Sequence, residues 1–280
     1  MIDIRLDKED GVIVEDLQAK MAVHVIASGS KGNATLIAYK NTLLLVDAGI
    51  SARRIVQGIK AVGLRPDELS GIFITHEHTD HMNGLAQLVK QYDVPVYTKA
   101  GTWREIVRRK PINFKQLCEL TRSHIAVGDL DIDIFKTSHD AADPIGLSCY
   151  GGDCKVTFMT DTGIVEDAML KHMDESNLLV LEANYDPQML RYGPYPADLK
   201  RRVAGAEGHL SNESAAQALL MMKRPDNLKV IMAHRSEKNN AEPVVAHTVS
   251  KLLEQEGLAI GTDLQIFHGQ PKEIVSIKQD

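Results

Sequence analysis

Residues 75–81 read THEHTDH, three histidines and an aspartate within six positions directly after the apolar run GIFI. His76 and His78 are two apart, so on an extended segment they face the same side. Asp80 and His81 follow where a helix opens. One short turn can therefore offer two pairs of ligands in two directions, as a two-metal site requires. Other apolar runs end in the same kind of residue: LLLV at Asp47, IDIFKTS at His139, VTFMT at Asp161, LLVL at Glu182 and KVIMA at His234. Taken singly, each reads as the polar end of a buried strand, because polar residues are mostly exposed. Taken together they place ionisable groups at the carboxyl ends of strands, where open α/β sheets bind ligands. Nitrogen and carboxylate oxygen donors suit two divalent ions, Zn²⁺ or Mn²⁺, with Fe²⁺ as a third option. The H-E-x-x-H pattern of a zinc protease helix is absent, and Glu77 reads as a solvated side chain.

These residues need strands and helices to hold them. AVHVIAS (22–28), ATLIAY (34–39) and TLLLVDAG (42–49) read as strands separated by turns at SGSKGN and KN. Further strand-like runs lie at 130–139, 154–163, 177–184, 228–234 and 264–269. Ile55, Ile59 and Val62 recur at helical spacing, as do Met82, Leu85, Ala86, Val89 and Tyr92. Thr79 or Asp80 is the expected N-cap of the helix after the histidines, and Ser211 that of a later one. Helical stretches are also expected at 164–175, 211–223 and 243–256. Consecutive strands with interspersed helices make the fold class α/β (α+β).

The chain has 280 residues, 44% hydrophobic and 25% charged, as a soluble globular protein does. Its net charge of −6 argues against retention on nucleic acid by bulk positive charge. It does not exclude a nuclease, because bound divalent metals offset carboxylates locally. Three cysteines, Cys118, Cys149 and Cys154, form no disulfide framework. The acidic N-terminus lacks a signal-peptide pattern, and no apolar run approaches the roughly 20 residues that span a bilayer. The expectation is a cytoplasmic protein with no membrane partner. Residues 1–20 are expected to form an extension, with a short hairpin around Gly11, and 21–280 a single catalytic domain.

THEHTDH resembles the H-x-H-x-D-H signature of the metallo-β-lactamase fold, and the resemblance runs from about Met21 to the C-terminus. It implies a four-layer αββα sandwich with a dinuclear site at one edge. His76, His78 and His139 would hold the first metal, and Asp80, His81 and His234 the second, with Asp161 bridging them. Asp47, in LLVDAG, would support the histidine loop from behind. LEANYD (181–186), GHLSN (208–212) and AHRS (233–236) are similar to three motifs of the tRNA 3′-processing nucleases. In those enzymes the first two motifs supply a proton-shuttling pair, here Glu182 and His209. ASGSKGNAT, SHDAADPIG, YPADLKRRV and AHRSEKNN together look like the YycJ/WalJ-type subgroup, which is associated with DNA exonuclease activity. The chain departs from the tRNA nucleases in lacking an obvious protruding arm.

The resemblance therefore implies a dinuclear phosphodiesterase acting on nucleic acid, DNA rather than RNA, with 5′ to 3′ polarity suggested. A bridging hydroxide would attack phosphorus and the Glu182–His209 pair would protonate the leaving group. Asp80, Glu182 and His209 are the residues expected to act in catalysis. Lys200, Arg201 and Arg202 form either a solvated face or a phosphate grip. SGSKGN, with Ser30 and Asn33, is either a tight turn or a phosphate-binding loop. The alternative is a small-molecule hydrolase of the same fold, a thioesterase, lactonase or cyclic-nucleotide phosphodiesterase. Such an enzyme has no need of the Glu182–His209 pair.

Overall fold

The computed structural model describes residues 20–109 and 116–280. The expected extension and its hairpin around Gly11 fall outside the described residues, apart from Lys20. The strands are β1 (Ala22–Ala27), β2 (Ala34–Tyr39), β3 (Thr42–Val46), β4 (Leu69–Phe73), β5 (Val96–Thr98), β6 (Leu117–Glu119) and β7 (His124–Val127), then β8 (Leu130–Lys136), β9 (Ile145–Gly151), β10 (Cys154–Met159), β11 (Leu178–Glu182), β12 (Leu228–Ala233), β13 (Leu264–His268) and β14 (Val275–Lys278). They build two sheets, ordered β14-β1-β2-β3-β4-β5-β6 and β13-β12-β11-β10-β9-β8-β7. In each sheet the pairing changes from antiparallel at one edge to parallel at the other. The parallel pairs are β3–β4, β4–β5 and β5–β6 in the first sheet, and β10–β11, β11–β12 and β12–β13 in the second.

One apolar cluster, with Val23, Val46, Phe73, Leu147, Phe158 and Val180, fills the space between the sheets. The outer face of the first sheet is covered by α1 (Ala52–Ala61), α2 (Thr79–Met82), α3 (Leu85–Gln91) and α4 (Ala100–Arg109). The outer face of the second packs on α5 (Asp167–Met173), α8 (Asn212–Met221) and α9 (Glu242–Gln255), with α6 (Pro187–Tyr192) and α7 (Ala197–Val203) lying over one end. The result is the four-layer αββα sandwich. Strands β3 and β11 are buried along their whole length, which explains their unbroken apolar runs. Among the described residues no helix is long and apolar enough to cross a membrane.

Two expectations about the helix after the histidines need correction. The apolar stripe from Met82 to Tyr92 is split into α2 and α3 around Gly84, whose backbone is pressed on Ile50. A Cβ there would lie 2.2 Å from the Ile50 carbonyl oxygen. The N-cap of α2 is His78, with no side-chain cap, so Thr79 and Asp80 lie inside the first turn. Ser211 does cap α8, accepting from Ser214 N at 3.0 Å. Cys149 and Cys154 are buried free thiols. They are out of register across the hairpin, with Cys149 opposite Val156 and Cys154 opposite Gly151.

Candidate metal centre

Six of the candidate residues sit at or just beyond a strand end. Asp47 follows β3, His76 follows β4, His139 follows β8, Asp161 follows β10, Glu182 ends β11 and His234 follows β12. Asp47, Asp161 and His234 have left-handed backbone, with φ of 62°, 57° and 54°. Such conformations cost of order 1–3 kcal/mol each and persist where the surroundings fix them. Here they turn the chain sharply off a buried strand, and the side chains of Asp161 and His234 go into the site.

The loops that carry the first residues are stitched together by backbone. Ala48 N donates to His81 O at 2.8 Å, Asn33 N to Asp80 O at 2.9 Å, and Gly49 N to Asn33 O at 2.7 Å. Gly49 is required by this contact, because a Cβ there would lie 1.6 Å from Asp80 O. Asp47, fully buried, accepts from Thr75 N at 2.9 Å and from His81 Nδ1 at 2.7 Å. The Thr75 hydroxyl donates to Asp47 at 2.9 Å and accepts from His76 Nδ1 at 3.0 Å. These bonds leave Nε2 of both His76 and His81 facing the site.

Two trios of donors converge: His76, His78 and His139, and Asp80, His81 and His234. His78 Nδ1 and His139 Nε2 are 3.2 Å apart. Asp80 Oδ2 is 3.4 Å from His81 Nε2 and 3.4 Å from His234 Nε2. Two donors on one tetrahedral zinc, each about 2.1 Å from it, are about 3.4 Å apart. Asp161 lies between the trios, with Oδ1 3.8 Å from His139 Nε2 and Oδ2 3.4 Å from His81 Nε2. His76 Nε2 and Asp161 Oδ2 are buried with no hydrogen-bond partner. Most buried polar atoms in folded proteins are paired, and unpartnered atoms that also stand at ligand spacing fit divalent cations.

The charges agree. Burial alone would raise the Asp161 carboxyl, but the imidazoles of His234, His81, His76 and His139 hold it well below the carboxylate range. Burial would lower His234, but Asp161, Asp80 and Glu182 push it up to about 10. His76 goes the other way, held well below its ordinary value by burial and by His81. The carboxylates demand positive charge; protons on His81 and His234 supply it where a metal does not, so metal uptake releases protons.

Glu182, also fully buried, does more than pair with His209. Its Oε1 accepts from Nδ1 of His209 at 2.8 Å and from Nδ1 of His234 at 2.9 Å. Its Oε2 accepts from the backbone N–H groups of Thr162 at 2.9 Å and Leu210 at 3.2 Å. Each oxygen thereby accepts two hydrogen bonds and the carboxylate orients two imidazoles, while Asp161, Glu182, His209 and His234 also stand at ligand spacing from one another. His209 keeps its Nε2 free toward a cleft of about 350 Å³ lined also by Ser30, His78, Asp80, Asp161, Arg202 and His234.

The expected substrate contacts fare unequally. Ser30 and Arg202 line the cleft. Asn33 is buried instead, accepting from Gly29 N at 2.9 Å and lying 3.3 Å from His81 Nε2, so it braces the loop. Lys200 donates to Arg191 O at 2.8 Å, and Arg201 pairs with Asp198. Neither lines the cleft. Glu77 corrects another expectation: it is buried, not solvated, and accepts from Ala142 N at 3.0 Å, tying the histidine loop to the loop after His139. Sequence reading missed Asp140, which pairs with Arg202 and approaches His139 Nε2 to 3.5 Å. It also missed Thr75, although Thr75 stands inside THEHTDH. Arg109 and Tyr195 line the cleft with no local signal.

Known proteins are similar to this chain. The Beta-lactamase superfamily domain matches residues 42–234. The chain is 35% identical over 257 residues to the exodeoxyribonuclease YycJ of Bacillus anthracis, spanning 90% of this chain and 97% of that protein. It is 32% identical over 252 residues to the exodeoxyribonuclease WalJ of Streptococcus pneumoniae, spanning 88% and 93%. Among solved structures, the metallo-β-lactamase fold protein YhfI of Bacillus subtilis superposes with a TM-score of 0.66 at 15% identity, over 92% of this chain and 99% of its own. The short form of human tRNase Z does so at 0.63 and 16%, over 91% and 98%. At these identities the likeness is one of fold.

Proposed function

The chain belongs to the metallo-β-lactamase superfamily, and from that premise we propose that it is a metal-dependent nuclease, a DNA exonuclease whose catalytic domain is residues 21–280. The observation that carries this reading is the Glu182–His209 pair on the cleft beside the two trios, at 2.8 Å. A hydrolase that expels a poor alkoxide leaving group is helped by an acid there; one that expels a thiolate does not need it. The resemblance to the two named exodeoxyribonucleases supports DNA over RNA.

His76, His78 and His139 would hold one divalent ion, and Asp80, His81 and His234 a second, with Asp161 facing both. Bound there, two Zn²⁺ or Mn²⁺ ions supply Lewis-acid stabilisation of the phosphoryl oxygens and an activated water. The protein does the rest. Arg202, at the cleft mouth, binds the phosphodiester anion. Asp47 and Glu182 fix the tautomers of His81 and His234 by accepting from Nδ1, so Nε2 is presented as a ligand. Glu182 fixes His209 in the same way. His209, protonated at Nε2, then delivers that proton to the leaving sugar oxygen.

The test is to offer Mn²⁺- and Zn²⁺-loaded protein end-labelled single-stranded and duplex DNA, RNA, bis-p-nitrophenyl phosphate, a thioester and a lactone. The reading predicts stepwise loss of nucleotides from DNA, stopped by chelation. Hydrolysis of the thioester or lactone with DNA left intact would overturn it.

A further inference from the structure

Beside the cleft lies a segment, residues 187–203, from which the chemistry above uses only Arg202. Helices α6 and α7 rest on a small apolar cluster of their own, formed by Tyr185, Leu190 and Val203 with Tyr195 and Leu199 packed against it. One side of the segment is part of the cleft wall, through Tyr195, Leu199 and Arg202. Its tip is Tyr192, 76% exposed, the most exposed large hydrophobic side chain among the described residues. The Arg191 guanidinium lies 5.5 Å from the Tyr192 ring centroid. Residues 187–203 hold four cations, Arg191, Lys200, Arg201 and Arg202, against one carboxylate, Asp198, on a chain whose net charge is −6.

The segment is fixed in place. Lys200 bridges the two helices by donating to Arg191 O. The turn after Tyr192 is pressed on the loop after β12: a Cβ on Gly193 would lie 2.5 Å from Asn239 Oδ1. A solitary exposed aromatic needs no explanation. An exposed aromatic three residues from the cleft-lining Tyr195, among the cations of an acidic protein, matches the physical requirements of single-strand binding. Those are a positive track for the backbone and a ring face on which a base can stack.

We propose that residues 187–203 form a single-strand platform, on which Tyr192 stacks an unpaired base of the substrate while Arg191 beside it holds a flanking phosphate. This rests on the nuclease reading and deepens it: the substrate is a polynucleotide end with unstacked bases, taken without regard to sequence because every base has a ring face. A duplex must fray before it is bound.

The experiment uses metal-loaded full-length protein and a phosphorothioate-linked single strand carrying 2-aminopurine near its end, alongside steady-state cleavage of the ordinary strand. The fluorescence is expected to be quenched on binding. Tyr192→Ala should abolish the quenching and raise KM for the strand roughly tenfold, while Tyr192→Phe keeps both at the parental level. Turnover of bis-p-nitrophenyl phosphate should be equal in all three proteins. Parental quenching and KM in Tyr192→Ala, with the strand still cleaved, would overturn the platform alone. A parental protein that hydrolyses the small diester yet neither binds nor cleaves the strand would overturn the nuclease reading, and the platform with it.

Discussion

Behind the imidazoles of His76 and His139 stand neutral acceptors, the Thr75 hydroxyl and the Gly208 carbonyl. Behind those of His81 and His234 stand buried carboxylates, Asp47 and Glu182. The first trio has no anionic member, whereas the second includes Asp80. A carboxylate accepting from one ring nitrogen makes the other a better electron donor. The two proposed metal sites are therefore unequal by construction. The second is built to hold its ion firmly, and the first depends more on Asp161. His24 shows what burial does without such a partner: in the sheet, bonded to Ser276 at 2.7 Å, it is pushed down to about 4 by burial and by Lys278. His234, just as buried but facing carboxylates, is pushed up to about 10.

The change with the largest expected effect removes the element the two trios share. Asp161→Asn should cost several kcal/mol of transition-state stabilisation and release metal from both sites, as elemental analysis of the purified variant would record. Retention of both ions with full turnover would remove Asp161 from the centre. Next comes His209→Ala, which should retain both ions and slow DNA cleavage by about 10²–10⁴. Hydrolysis of a p-nitrophenyl ester, whose leaving group needs no proton, should be slowed far less. If His209→Ala loses a metal, His209 is a ligand and the division between it and His234 is wrong.

Glu182→Gln probes the side that the two functions share. However the amide turns, its NH2 confronts N–H groups, either the two imidazoles or the backbone of Thr162 and Leu210. The expected outcome is a loss of about 1–3 kcal/mol in stability from urea unfolding. The second ion should also bind about 10–100-fold more weakly. The smallest effect lies outside the site. The unfolded chain protonates His24 near 6.5 and the folded chain only near 4, so its contribution to stability is complete above pH 6.5 and drains away as pH falls toward 4. From pH 7 to pH 5 this is about 2 kcal/mol. His24→Gln should flatten that part of the unfolding profile; an unchanged slope would show that His24 is not held neutral.

How much of this was legible in the sequence depends on the range of the interaction. Strands β3, β11 and β12 announce themselves as buried apolar runs, and the donors after them follow from position alone. The three-residue strands β5 and β6 carry too little pattern to be seen, and β14 is recognisable only through its pairing with β1. Glu77 looked solvated because its partner, Ala142 N, is 65 residues away. Asp140 and Arg202 are 62 apart and signal each other in no local window. Glu182 was readable as a partner of His209 from the motif it resembles. That one oxygen also serves His234 is a fact of packing.

The claim on which the rest depends is that two unequal ions are bound, the tighter one in front of Asp47 and Glu182. Calorimetric titration of Mn²⁺ into metal-free protein and into Asp47→Asn tests it most directly. Two ions per chain should bind in separate steps, with Asp47→Asn weakening the tighter step about 10–100-fold and leaving the weaker one unchanged. A single ion, two equivalent sites, or a shift confined to the weaker step would contradict it.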